Sequence, residues 1–252
     1  MSIMEVLNES NEDYNINNLF LGVTVGIVTN IDDPDKLSRV KVKLLNRDKS
    51  DYETDFIRVA TPMTGKEWGM FFFPEVGDEV LVAFSSGDIV KPYVIGSLWN
   101  QNYKAPVQIN DGKNIVRQIK TKNGHEIIFH DEDNKDYIEI KTPKELKINL
   151  NDEKEVISIN DKQGKNIVKI DSKNGIIEVL AEKKISVKAG NSKIELNGNN
   201  NSVNIESNQS LTLKSQQVVI DAKGTLDLKS SGTVNLKAGG PANIKGAVVK
   251  LN

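Results

Sequence analysis

With 252 residues, 38% of them hydrophobic and 27% charged, the chain can build one or two domains with a sizeable core. Its apolar runs, such as Met70–Phe73 and Val80–Phe84, fall far short of the roughly 20 residues a spanning helix needs. The absence of cysteine excludes disulfides, thiolate metal sites and cysteine nucleophiles. The net charge of −2 hides an asymmetry, because residues 181–252 carry ten lysines against five acids. A basic end suits approach to an anionic surface. These lysines are dispersed and lack aromatic neighbours, so they form a solvated face and not a nucleic-acid patch.

Residues 1–18 are polar and acidic and are expected to be loose. They lack the basic start and apolar stretch of a secretory signal peptide. Residues 19–104 follow as a small β-barrel. Val23, Val25 and Ile27 alternate with Thr24, Gly26 and Val28, which predicts a half-buried strand. Asp32-Asp33-Pro34-Asp35 supplies a turn in which Pro34 fixes φ and the aspartates accept local backbone hydrogen bonds. Val40, Val42 and Leu44 alternate with Arg39, Lys41 and Lys43 as the return strand of a hairpin. Further strands are expected at residues 56–60, 70–73, 79–84 and 92–98, with turns at 74–78 and 86–88. Five or six strands in about eighty residues fit a Greek-key barrel of the OB type. Such barrels bind oligonucleotides or sugars when exposed aromatics are interleaved with cations. Here the aromatics occupy apolar strand positions, so they are expected to pack the core.

Residues 105–123 read as a linker. From residue 124 the chain becomes a series of short apolar pairs separated by Gly, Asn, Asp, Ser and Lys. The second members of the later pairs are Val187, Leu196, Ile205, Leu213, Ile220, Leu228, Leu236, Ile244 and Leu251, with a mean step of eight residues. Most have an apolar partner two residues earlier, which places both side chains on one strand face. Earlier pairs, from Ile127/Phe129 to Ile177/Val179, continue the pattern with longer steps that predict larger corners. Fixed-period self-similarity indicates a solenoid or fibre. Two architectures can bury such pairs. Three chains intertwine around a thin prism, or one chain coils with three strands per turn. Periodicity does not separate them, but only two apolar residues in eight favours the three-chain prism. Parallel strand pairing along its three faces would hold it together, and Val187, Leu196, Ile205, Leu213, Ile220, Leu228, Leu236 and Ile244 would form its core.

Four ordered stretches carry a family resemblance: DDPDKLSRVKVKL (Asp32–Leu44), WGMFFFPEVGDEVLVAFSSGD (Trp68–Asp88), KPYVIGSLWN (Lys91–Asn100) and GHEIIFHDEDNKDYIEIKT (Gly124–Thr142). They resemble the contractile-tail spike family, which comprises phage baseplate assembly protein V and the C-terminal part of valine-glycine repeat protein G. The resemblance implies an all-β chain, an OB-fold barrel followed by an intertwined triple-stranded β-helix in a homotrimer. The implied role is that of a central spike which pierces a target envelope mechanically. Secretion-type members carry a large hub domain before the barrel. Only about twenty residues precede it here, so a separate trimeric hub is implied at the N-terminal end, facing residues 1–18. The implied location is an assembled tail or injection particle, made in the bacterial cytoplasm and released or fired outward. Some phage spikes carry a lysozyme domain between barrel and shaft, and the stretch after Asn100 is far too short for one.

No Ser/His/Asp set, paired catalytic carboxylates or phosphate loop stands out, so no enzyme activity and no cofactor are expected. His125 and His130 lie five apart, beside Glu126, Asp131, Glu132 and Asp133. In a strand, residues i and i+5 point to opposite faces, so no metal site is expected from one chain, although a threefold axis could gather three copies of one histidine. The acidic run lacks the spaced ligands of a calcium loop. The chain ends on Val249, Leu251 and Asn252 without a cap, resembling members sharpened by a separate proline-alanine-alanine-arginine (PAAR) repeat tip protein, which these residues would bind. The competing reading is a carbohydrate-binding or carbohydrate-processing tail fibre. It needs carboxylates and aromatics along the shaft, whereas residues 181–252 hold no Trp, Tyr or Phe.

Overall fold

The computed structural model describes residues 22–45 and 52–250, and every regular element among them is a strand apart from a short 3₁₀ turn at Ser85–Gly87. The readings made for residues 1–18, Leu251 and Asn252 lie outside the described residues. The chain divides into two compact units, one ending at Leu180 and one beginning at Ala181.

The first unit opens with a closed five-stranded barrel. Its strands are β1 (Val23–Asn30), β2 (Arg39–Leu44), β3 (Ile57–Val59), β6 (Glu79–Phe84) and β7 (Pro92–Ser97), in the order β1-β2-β3-β7-β6. All pairings are antiparallel except β3 with β7, and the pairing of β1 with β6 closes the barrel. This is the OB-type barrel expected from the sequence. Val28, Val40, Val42, Leu44, Ile57, Val80, Val82, Phe84 and Val94 form its buried core.

One face assignment needs correction. In β1 the residues turned inward are Thr24, Gly26 and Val28, while Val25 and Ile27 are half-buried and Val23 is exposed. The interior lacks room for the larger set. A Cβ added at Gly26 would lie 2.3 Å from Val42 Cγ1 and 2.9 Å from the Lys43 carbonyl oxygen. The glycine is therefore required by close packing against β2, and the parity of the strand follows from it.

Between β3 and β6 the chain leaves the barrel as a small hairpin, β4 (Thr64–Gly65) with β5 (Trp68–Gly69). The indole of Trp68 covers Gly65, where a Cβ would meet Cε2 at 2.1 Å. The turn after this excursion is fixed by Glu75 N–H donating to Asp78 Oδ2 at 2.9 Å and Gly77 N–H donating to the Val28 carbonyl at 2.8 Å.

Beyond the barrel, seven strands form one antiparallel meander: β8 (Val116–Lys120), β9 (Glu126–His130), β10 (Tyr137–Lys141), β11 (Lys147–Asn151), β12 (Val156–Asn160), β13 (Ile167–Asp171) and β14 (Ile176–Leu180). Its first strand falls within the segment read as linker, so this sheet begins at Val116. The second unit holds a three-stranded antiparallel sheet, β15 (Lys184–Ala189), β16 (Ser192–Asn197) and β17 (Ser202–Glu206). The pairing here differs from the parallel pairing expected. Turns of four to six residues reverse the chain within the meander, and turns of two and four residues do so in the three-stranded sheet, so within each sheet every strand bonds to its sequence neighbours in antiparallel register. Residues 207–250 form no strand among the described residues and are exposed throughout.

Candidate functional site

Each strand of the meander is five residues long, and the register across all six pairings is unbroken. Directly paired residues share a face, so the alternation of each strand adds up across the sheet. Ile119, Ile127, Ile140, Ile148, Ile159, Val168 and Val179 form one continuous column. Arg117, Phe129, Ile138, Leu150, Ile157, Ile170 and Ile177 form a second on the same face. All the apolar members of both columns are a third or more exposed. A solvent-facing apolar surface that runs across seven strands is more than monomers ordinarily expose.

The opposite face of the same sheet carries the charged side chains, bonded to one another, with Ile128, Val156, Ile167, Ile176 and Leu180 among them. Glu126 is flanked across both neighbouring strands by Lys120 and Lys141, at 2.8 and 3.1 Å. These two ammonium groups, Lys120 first, hold the Glu126 carboxyl below its ordinary range. Lys147 reaches Glu139 at 3.5 Å, and Lys169 bridges Asp171 and Glu178 at 3.3 and 3.4 Å. These ion pairs suit this face to water better than the two apolar columns opposite.

The three-stranded sheet repeats the arrangement. Ile185, Val187, Ile194, Leu196, Val203 and Ile205 share one face. On the other, Glu195 is buried between Lys184 and Lys193, and both lysines depress its carboxyl pKa. Of the residues singled out from the octads, Val187, Leu196 and Ile205 therefore share one apolar face. Leu213, Ile220, Leu228, Leu236 and Ile244 lie exposed in residues 207–250, as does Val249.

A second apolar surface lies where the sequence pattern predicts core packing. Trp68 is 60%, Phe71 74% and Phe72 63% exposed, with Met63 and Met70 beside them. Only Phe73 of this run packs against the barrel core, and it stacks on Phe71 with ring centroids 5.4 Å apart. The expectation that these aromatics fill core positions fails because the segment is a hairpin outside the barrel wall. Gly65 and Gly69 inside it, and Pro62 and Pro74 at its ends, were the available signals. Trp99 is likewise exposed.

The histidines are not brought together. His125 is exposed in the turn before β9, with its N–H bonded to Thr121 Oγ1 at 3.0 Å. His130 lies on the polar face, stacked on Tyr137 with ring centroids 4.6 Å apart and its Nε2 3.9 Å from Glu132. Among the described residues no group of three or more His, Asp or Glu side chains is placed to hold a metal ion.

At the barrel, Asp33 is 3% exposed and organises the β1–β2 connection. It accepts from Arg39 Nε and Nη2 at 3.0 and 2.7 Å and from the backbone N–H groups of Asp35, Leu37 and Arg39. The guanidinium is the main reason its carboxyl lies far below the usual aspartate range.

Comparison with known proteins places this geometry. Residues 24–99, the barrel and its hairpin, match the family described as the type VI secretion system/phage-baseplate injector OB domain. Among curated proteins, the chain is 34% identical over 91 residues to the type VI secretion system spike protein VgrG2a of Pseudomonas aeruginosa, covering 35% of this chain and 11% of that protein. It is 29% identical over 103 residues to VgrG1a of the same organism, covering 38% and 16%. It is 30% identical over 118 residues to VgrG3 of Vibrio cholerae, covering 44% and 12%. The aligned stretches thus span about a tenth to a sixth of these relatives' length. The matches support the resemblance to the contractile-tail spike family that the barrel motifs carry.

Proposed function

We propose that this chain is the central spike of a contractile injection system and acts as a homotrimer without catalytic activity of its own. The observation that carries the reading is the join between an injector-type OB barrel and a seven-stranded sheet whose two apolar columns have no partner within the chain. Three such sheets, packed apolar face inward, close a three-sided prism with the lysine–carboxylate face outward. Seven strands stack to roughly 30 Å of shaft. In this part each chain supplies one whole face. In residues 207–250 the octads continue without strand pairing inside the chain, so there the hydrogen-bond partners come from the other two copies, and the chains intertwine. His130 then faces outward and does not meet its copies on the axis.

The mechanism is mechanical. Sheath contraction drives the tube forward and the spike meets the envelope first. Resistance to bending comes from the many backbone hydrogen bonds that must break together. The partners this reading assigns are a separate hub at the barrel end and a PAAR-type tip protein at Val249 and the residues beyond it. The place of action is an assembled tail or injection particle. Native mass spectrometry tests the reading: a mass of three times 27.9 kDa supports it. A folded monomer overturns it and returns the single-chain solenoid with a carbohydrate role.

A further inference from the structure

The meander sorts its turns into two rows, one along each side of the sheet. Residues 121–125, 142–146 and 161–166 join β8 to β9, β10 to β11 and β12 to β13. Residues 131–136, 152–155 and 172–175 join the alternate pairs on the opposite side. The first row carries Lys122, Lys144, Lys162 and Lys165 against two acids. The second carries seven acids against three lysines. Local pairs within the rows, Lys162 with Glu145 and Lys135 with Glu132, each remove one charge of both signs and leave the difference standing. Single contacts outside the rows, Lys122 with Glu75 and Arg117 with Asp131, reduce each row without reversing it. Strand ends beside the basic row add three lysines around Glu126, and Asp171 lies beside the acidic one.

The rows also differ in level. Because turns alternate sides, each acidic turn is offset by one strand, roughly 4.8 Å along the shaft, from the basic turns before and after it. A second sheet related by a pure rotation about the shaft axis would therefore present its basic turns opposite the gaps between acidic turns.

We propose that these rows are complementary seams, with the acidic row of one copy interdigitating with the basic row of the next around the threefold axis. This rests on the trimer reading above and deepens it. The occupant is a second copy of this chain, selected by opposite charge on either side of an unpartnered apolar face. A head-to-tail contact of this kind closes a ring, and like rows meeting would repel. The charges thus set the direction in which copies follow one another, while the apolar columns supply the driving force and carry no such direction.

The test uses the full chain and two kinds of variant. Reversing one row alone, as Lys144→Glu/Lys162→Glu/Lys165→Glu or as Asp133→Lys/Asp136→Lys/Glu153→Lys, is expected to raise the concentration for half-assembly by about tenfold or more at low salt. The chain carrying both reversals restores it. Independently, Asp133→Cys with Lys144→Cys is expected to give a covalently closed trimer on oxidation. Within one chain these two positions lie on opposite sides of a five-residue strand, about 17 Å apart, beyond the reach of a disulfide. The chain has no other cysteine to compete. A trimer by native mass that neither cross-links nor responds to single-row reversal overturns the seams and leaves the trimer in place. A monomer overturns both.

Discussion

Gly26 faces Val42 so closely that a Cβ on the glycine would lie 2.3 Å from the valine Cγ1. The Lys43 carbonyl on the same side closes off sideways relief. Gly26→Ala should therefore lower barrel stability by about 1–3 kcal/mol, as overpacking does in well-filled cores. Chemical denaturation followed by Trp fluorescence reads the change. An alanine variant as stable as the parent would show that the barrel wall yields there.

The Asp33–Arg39 pair makes stability depend on acid. The folded Asp33 carboxyl titrates below its unfolded value near 3.9. Between those two values the unfolded chain binds more protons, so stability rises with pH there. The contribution is complete above the unfolded value and is lost as pH falls below about 4 toward the folded one. Asp33→Asn should lower the melting temperature at pH 7 and flatten the melting curve against pH below 4. An unchanged acid slope would assign it to other carboxylates.

The apolar columns separate assembly from folding. Ile148→Asp places a charge in the centre of the first column, whereas Ser158→Glu places one on the polar face opposite Lys169. The first should abolish the trimer at micromolar concentration, with several kcal/mol lost per interface from a buried unpaired charge. The second should leave the mass unchanged. Light scattering of both variants decides which face is inward.

Residues 208–249 offer a test by hydrogen exchange. Their amides have no strand partner in the single chain and should exchange at near-random-coil rates in a dissociated variant such as Ile148→Asp. In the assembled protein they should be protected. Protection in the monomer would mean that the segment finds partners within its own chain.

The alternation of β2 and β6 was legible in the sequence because Val40, Val42, Leu44 and Val80, Val82, Phe84 all turn inward. β1 was misread because Gly26, invisible to a hydrophobic pattern, decides which side of Val23–Asn30 can approach β2. The aromatic run from Trp68 to Phe73 differs from the core strand expected because an apolar hairpin outside the barrel looks like a core strand when only composition is read. The shaft pairs were recognised, but not what their spacing implies. From Phe129 to Val179 the step averages ten residues, enough for a five-residue strand and a reversing turn. From Ile205 onward it averages just under eight, and among the described residues no strand is formed there.

The parity of the meander limits how such a shaft can change length. Inserting one strand would move every later turn to the other side of the sheet and set its charge in the row of opposite sign. Inserting a whole hairpin leaves each turn on its own side. Lengthening of the sheet is thus quantised in pairs of strands, in increments of roughly 10 Å, as on a ruler graduated in hairpins.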